Sequence, residues 1–481
     1  MYLSEVLTGV EVKERIGDDV IIKSLSCDSQ KIGVAGLYFC ITGTRADGHD
    51  YAAAAIANGA AAIITQRRLP VDIPQAVVAD ARAEMARISA NFYGNPIDKM
   101  KLIAVTGTNG KTTTTFIIRS IGEVAGRKVG LIGTTAIYIG GERLPAELTT
   151  PDPITLHGVF RRMLDAGCEW VVMEVSAHAI ELRKMAGVVA DVAVFTNLTQ
   201  DHLDFFGTIE RYRQTKVSYF SSLYAAAAVV NADDPTGRLI LNTADIPCYT
   251  YGLNNPSDVF AVDYESDVKG QKYVINLLDN LYDIKFRLPG RFNLYNTLAA
   301  AAAAYLLGVE LGDIAGGIGA LKLVPGRYNM LDTEPYQVII DYAHTPDGLQ
   351  KVLTSIREYA KGKIITVFGC GGNRDRSKRA LMGAAAGALS DYGIITSDNP
   401  RCEDPDMIIS EIEEGFKQSS RPYACIENRR QAISHALKMA AAGDIILISG
   451  KGDEPYQEIS GVKYPYNDTD TVYELLGKRG G

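Results

Sequence analysis

The sequence predicts an α/β protein of three domains, the central one a doubly wound, mostly parallel sheet. Three observations predict it. Short apolar runs alternate with helix-length segments along most of the chain, as parallel sheets with crossover helices require. Nearly every run gives way to a glycine-rich or charged loop, which is where open α/β sheets bind their ligands. One such loop, in Val105-Thr-Gly-Thr-Asn-Gly-Lys-Thr-Thr113, joins an apolar run to a helix start in the manner of a phosphate-binding loop. A chain of 481 residues also exceeds what one core accommodates.

Residues 1–97 read as a small α/β domain. Gly36–Ile41 is a strand, Asp50–Gly59 a helix and Ala60–Thr65 the next strand. Two polar stretches interrupt them, Cys27-Asp-Ser-Gln30 and Thr42-Gly-Thr-Arg-Ala-Asp-Gly48, and Gly94-Asn-Pro96 is the turn that ends the domain. Residues 98–325 carry the phosphate loop. Leu102–Val105 is its strand and Thr112–Ile121 its helix, followed by strands at Val129–Ile132, Trp170–Val175, Val192–Thr196 and Ala226–Asn231. Leu298–Leu307 is so apolar that a buried helix is expected there. Residues 326–481 form a Rossmann-like α/β domain with strands at Val338–Asp341, Lys363–Gly369, Tyr392–Thr396 and Asp444–Ser449. Each leads into a polar loop, but none is a GxGxxG followed by an acidic strand end, so a dinucleotide site is not expected.

The phosphate loop departs from the common spacing, because Val105 stands where a first glycine belongs. The chemistry survives the departure. Gly107 and Gly110 let backbone N–H groups turn toward phosphate oxygens, and the helix N-terminus adds partial positive charge. Lys111 supplies a point charge, and the Thr112 hydroxyl is a ligand for Mg²⁺. Four consecutive threonines after a lysine are a poor start for a merely structural helix. Glu174 and His202 follow strands of the same sheet and are expected to face this loop as metal ligands. Either alone reads more simply as a surface acid or a satisfied histidine.

Composition limits the partners. Hydrophobic content of 47% and charged content of 22% fit a globular protein in water. A net charge of −8 argues against nonspecific binding to nucleic acid or anionic membrane. The seven cysteines are scattered without a CxxC, which points to reduced thiols and a cytoplasmic setting. No secretory signal or membrane span is expected.

The motifs, taken in order, resemble the Mur ligase family. They are Gly107-Thr-Asn-Gly-Lys-Thr-Thr113, Met173-Glu-Val-Ser176, Thr196-Asn-Leu198, Asp201-His-Leu-Asp204, Gly290-Arg-Phe-Asn-Leu-Tyr-Asn296, Pro325-Gly-Arg327, Asp341-Tyr-Ala-His-Thr-Pro346 and Asp398-Asn-Pro-Arg401. The resemblance is strongest to the members that add the third amino acid of the peptidoglycan precursor. It implies three domains that bind, in order, the UDP end of the substrate, ATP, and the incoming amino acid. The implied reaction joins meso-diaminopimelate to the D-glutamate side-chain carboxylate of UDP-N-acetylmuramoyl-L-alanyl-D-glutamate, through an acyl phosphate and with Mg²⁺. A monomer is expected.

The resemblance also assigns residues. Gly107, Thr108, Asn109, Gly110, Lys111, Thr112, Thr113, Asn296, Arg327 and Asp341 would hold ATP. Ser29, Thr44, Arg45, Ala46, Thr149, Thr150, Ser176 and Lys184 would hold the UDP-peptide. Arg374, Asp398, Asn399, Pro400, Arg401, Gly450 and Glu454 would hold diaminopimelate. Lys111, Glu174, His202 and Lys216 would be catalytic. Thr112, Glu174, His202 and Lys216 would hold metal, the lysine as a carbamate formed with CO₂. Departures from the family pattern are Gln30, Ala177, Lys184 and Asp453, the last in place of the histidine of Gly-Lys-Gly-His-Glu. Lys184 cannot offer the bidentate fork of the arginine usual there. Competing readings are a lysine-adding version of the same ligase, folylpolyglutamate synthase, and a phosphate-loop NTPase switch.

Overall fold

The computed structural model describes residues 1–43, 46–267 and 269–478. Among these, three main sheets follow one another along the chain. The first runs in the order Val12–Ile16, Gln75–Val78, Ala60–Thr65, Gly36–Phe39, Ser24–Ser26. Only its Val12–Ile16 edge is antiparallel. Leu3, Val6, Met85 and Ile88 cover one face.

The central sheet has eleven strands among the described residues. Its parallel middle runs Cys248–Tyr251, Ala228–Asn231, Val192–Phe195, Lys101–Thr106, Trp170–Glu174, Val129–Ile132. Strand alternation divides the side chains between two cores. Ile103, Val105, Val172 and Val194 face the phosphate-loop helix Lys111–Val124, while Leu102, Ala104, Val171 and Met173 face the helix Pro153–Asp165. Antiparallel hairpins extend both edges, Val259–Phe286 at one and Ile137–Leu144 at the other. The apolar run expected to be a buried helix lies in Arg291–Leu306, where Ala299–Ala304 are at most 3% exposed. Methyl side chains let this helix sit deep against Lys111–Val124. A neighbouring helix comes so close that a Cβ on Gly317 would lie 2.3 Å from Ile121 Cα. Truncating Ile117 in this core would cost roughly 3 kcal/mol.

The third sheet runs Asn329–Leu331, Gln337–Asp341, Ile445–Ser449, Ile364–Phe368, Tyr392–Ile395, Tyr423–Cys425, parallel except at its first strand. Helices Pro346–Tyr359, Lys378–Leu389 and Pro405–Phe416 cover one face, and Arg429–Met439 with Asp468–Leu475 the other. The expected α/β class and mostly parallel central sheet are therefore present. The hairpins were not expected; their strands carry exposed polar residues such as Asp263, Glu265, Lys272 and Asp283. The seven cysteines are free thiols. No helix among the described residues is long and apolar enough to cross a membrane.

Candidate active site

The carboxyl ends of Lys101–Thr106, Trp170–Glu174 and Val192–Phe195 open onto one cavity of about 1170 Å³. The phosphate loop forms its floor. Gly107 has φ +148°, and a Cβ there would lie 1.8 Å from Thr196 Oγ1. Gly110 has φ +88°, and a Cβ there would lie 2.4 Å from Asn296 Oδ1. Both glycines are therefore required by left-handed backbone and by close approach. The loop is further tied by Thr108 N to Asn197 O at 2.8 Å and Asn109 N to Asn197 Oδ1 at 3.1 Å.

Lys111 donates only to its own loop among the described residues, to Gly107 O at 3.1 Å and Thr108 O at 3.0 Å. Burial lowers its pKa, with Glu174 opposing. Thr112 Oγ1 lies 3.0 Å from Glu174 Oε1 and accepts from Arg327 Nη2 at 3.1 Å. Glu174 is 1% exposed, takes hydrogen bonds from Thr134 N and Oγ1, and has no ion-pair partner among the described residues. A buried carboxylate facing only neutral donors, beside a hydroxyl, fits a hard cation. No three His, Cys, Asp or Glu residues cluster into a cage among the described residues. That suits Mg²⁺, which draws its other ligands from water and phosphate.

His202 begins the short helix Leu203–Phe206 in the left-handed region, φ +57°, with Asp201 Oδ1 accepting its N–H. Burial holds its imidazole down at about 3, Asp201 opposing. Asp201 was quoted in a motif but given no role. Burial pushes its carboxyl up, yet the neighbouring His344, His202 and Lys378 hold it well below the usual range. His344 and Lys378 come from the third sheet's side, at 3.7 and 3.8 Å. Lys216 is 1% exposed and lies beneath the loop, donating to Thr106 Oγ1 at 3.2 Å and Gly107 O at 3.0 Å. Burial, then Lys111, lowers its pKa strongly.

Thr149, Thr150, Ser176, Lys184, Asn296, Arg327, Asp341 and Arg374 line the same cavity. Thr150 Oγ1 donates to Glu174 O, and Lys184 Nζ donates to Thr150 O, both at 3.0 Å. Arg327 stacks its guanidinium on Tyr342 at 4.1 Å. Asp341 accepts from Tyr328 N and Ala343 N, and burial raises its pKa against the pull of Arg327. Ser29 is buried in the first domain, away from this lining, and Ala46 is exposed. Thr44 and Arg45 lie outside the described residues.

Asp398, Asn399, Gly450 and Glu454 form a second cluster at the edge of the third sheet. Asn399 Nδ2 donates to Glu454 Oε2 at 2.9 Å. Lys451, unremarked in the sequence, is fully buried and reaches both Asn399 Oδ1 and Glu454 Oε2, at 3.0 and 2.8 Å. Its sequence signal is the Gly450-Lys-Gly452 motif, whose two glycines are both at positive φ. Arg401 Nη1 donates to Gly372 O at 2.7 Å and its Nε lies 3.4 Å from Glu458 Oε2.

A phosphate loop with a buried carboxylate beside it, and acceptor-lined walls drawn from two sheets, define a nucleotide-dependent enzyme that acts on a second bound substrate. The comparisons make the class specific. Residues 21–95 match the Mur ligase family catalytic domain, 105–304 the Mur ligase middle domain and 326–452 the Mur ligase glutamate ligase domain. The chain is 42% identical over 472 residues to UDP-N-acetylmuramoyl-L-alanyl-D-glutamate–2,6-diaminopimelate ligase of Geobacillus kaustophilus, covering 96% of each. It is 39% identical over 487 residues to the enzyme of the same name from Clostridium perfringens, covering 99% of each. A solved structure of a ligase of that name superposes with TM-score 0.68 at 31% identity, covering 95% of each chain. A folylpolyglutamate synthase of Mycobacterium tuberculosis shares the fold, with TM-score 0.65 at 20% identity over 76% of this chain and 92% of its own. The chain belongs to the Mur ligase family.

Proposed function

We infer that the protein is the ATP-dependent ligase that adds meso-2,6-diaminopimelate to the D-glutamate side-chain carboxylate of UDP-N-acetylmuramoyl-L-alanyl-D-glutamate, in peptidoglycan synthesis. The observation that carries this is full-length similarity to ligases of that name. It is supported by a single cavity that joins the phosphate loop to Thr149, Thr150, Ser176 and Lys184 on one side and to Arg374 on the other. A carboxylate does not condense with an amine unaided, so ATP first phosphorylates it and the amine then displaces phosphate. Lys111 and the loop N–H groups hold the transferring phosphoryl group, and Arg327 holds the Thr112 hydroxyl in place. Thr112 and Glu174 would hold one Mg²⁺ and His202 a second, and the ions would supply charge neutralisation. Asn296 and Asp341 shape the nucleotide side of the cavity.

Lys216 is proposed to be a carbamate in the working enzyme. Its burial favours the neutral amine, the form that adds CO₂, and the product reverses the sign of a group beside Lys111. Residues 1–97 would take the UDP end through Ser29 and Thr44–Ala46, residues 98–325 ATP, and residues 326–481 the diamino acid through Arg374, Asp398–Arg401, Gly450 and Glu454. We take the enzyme as a cytoplasmic monomer, which sedimentation at micromolar concentration tests. The decisive experiment is mass spectrometry of the product made from the UDP-dipeptide with meso-diaminopimelate or L-lysine. Only the diaminopimelate tripeptide is expected, and only with ATP. Comparable addition of lysine would overturn the amino-acid assignment. ATP hydrolysis without either acceptor would favour a nucleotide switch.

A further inference from the structure

The loop Asp398–Arg401 is held residue by residue by one strand of a surface hairpin, Tyr456–Ile459 with Val462–Pro465. Gln457 Nε2 donates to Asp398 O at 2.7 Å. Glu458 N donates to Asn399 Oδ1 at 2.9 Å, and Glu458 O accepts from Arg401 N at 3.0 Å. Ser460 N then donates to Arg401 O at 2.6 Å. Arg401 itself has φ +54°, a conformation that a non-glycine residue keeps only when its surroundings impose it. The hairpin imposes it.

The Glu458 side chain adds what the backbone cannot. Its Oε2 lies 3.4 Å from Arg401 Nε, and Gly372 O takes one N–H of Nη1 at 2.7 Å. A guanidinium has five N–H donors in a fixed plane. Nη2 has no hydrogen-bond partner among the described residues, so its donors are free to meet a carboxylate. Both partners are only about a quarter exposed, at 22% and 24%, so the pair is partly shielded from water.

We propose that Glu458 is a positioning residue for diamino-acid recognition, its carboxylate holding the Arg401 guanidinium by charge so that the unpartnered Nη2 meets the substrate's distal carboxylate. The inference rests on the reading of Arg401 as the diaminopimelate contact. An unheld arginine stem would have to lose several rotamers on binding, and Glu458 removes that cost beforehand. The price is a resident negative charge near the incoming one, and the geometry limits it by placing Glu458 on the Nε side.

The test is steady-state kinetics of four full-length variants beside the wild type, with ATP and the UDP-dipeptide saturating. Glu458→Ala should raise KM for meso-diaminopimelate roughly tenfold, the loss of about one hydrogen bond to a charged group. Its kcat and its KM for ATP should stay within about twofold, which a collapsed loop would not allow. Glu458→Gln keeps an acceptor oxygen toward Nε and should recover part of the loss. In Arg401→Ala, adding Glu458→Ala should change KM no further, since nothing remains to orient. A KM for diaminopimelate in Glu458→Ala equal to or below wild type overturns the proposal, because the carboxylate is then a bystander or a competitor. Equal losses in the Gln and Ala variants overturn it as well. If Arg401→Ala alone leaves that KM unchanged, the reading of the loop itself fails, whatever Glu458 does.

Discussion

The phosphate loop and the Asp398–Arg401 loop handle charge in opposite ways. Among the described residues, Lys111 is bonded only to its own loop carbonyls, and Glu174 only to hydroxyls and an N–H. At the other loop every ionised group has a resident partner: Arg401 has Glu458, Lys451 has Glu454, and Asp398 sits in the field of Lys451 and Arg429. The difference follows the ligands. A triphosphate brings excess negative charge, so its cradle must carry uncancelled cation. A diamino acid brings both signs and little net charge, so its loop is neutral within itself and recognises by geometry.

The sharpest way to break this comparison is at Lys111. Lys111→Ala should lower ligation by roughly 10³-fold while the thermal unfolding midpoint barely moves, since among the described residues the ammonium has no ion-pair partner to leave stranded. Near-normal product from the folded variant would remove the cradle from the argument. Lys216→Ala should cost roughly 10²-fold, and short-chain carboxylates added to the assay should restore part of it. Undiminished activity would make this lysine a mere prop for Gly107. Arg401→Ala should raise KM for diaminopimelate about 50-fold with ATP affinity unchanged, the scale expected for truncating one member of a bound charge pair. A parallel loss in ATP affinity would show that the two regions are one.

The smallest effect is a control outside both regions. His157 is 1% exposed, neither ring nitrogen has a partner among the described residues, and burial holds it at about 4. Below its unfolded value of about 6.5 the unfolded chain takes a proton that the native state refuses. Stability therefore falls as pH drops from 6.5 toward 4, by roughly 2 kcal/mol between pH 7 and pH 5. Denaturant midpoints should show this slope, and His157→Leu should flatten it without altering KM for either substrate.

The cradle was legible in the sequence and the second loop only half so. Gly107, Gly110 and Lys111 announce themselves because phosphate chemistry restricts what can stand there, and the strands that precede them are nearly all apolar. Asp398–Arg401 was visible as a motif, but its holder was not. Glu458 lies 57 positions after Arg401 in a polar hairpin that carries no apolar periodicity. Lys451 was passed over for the same reason, since burial of a lysine depends on partners that only the fold assembles. The strand Val12–Ile16, three of whose five residues are exposed, was likewise unreadable as a strand.

Asn109, at the tip of the phosphate loop, donates to Asp347 at 2.9 Å, and Gln200 reaches Asp375 and Ser377. The lip of the nucleotide cradle is thus stitched to residues of the third sheet's side. We expect parting of that seam, after the bond is made, to pace turnover. A first turnover faster than the steady state, and a steady state that slows with solvent viscosity, are the signatures of such a step. A small molecule that reinforces the stitch between Asn109 and Asp347 would trap the enzyme full of its own product.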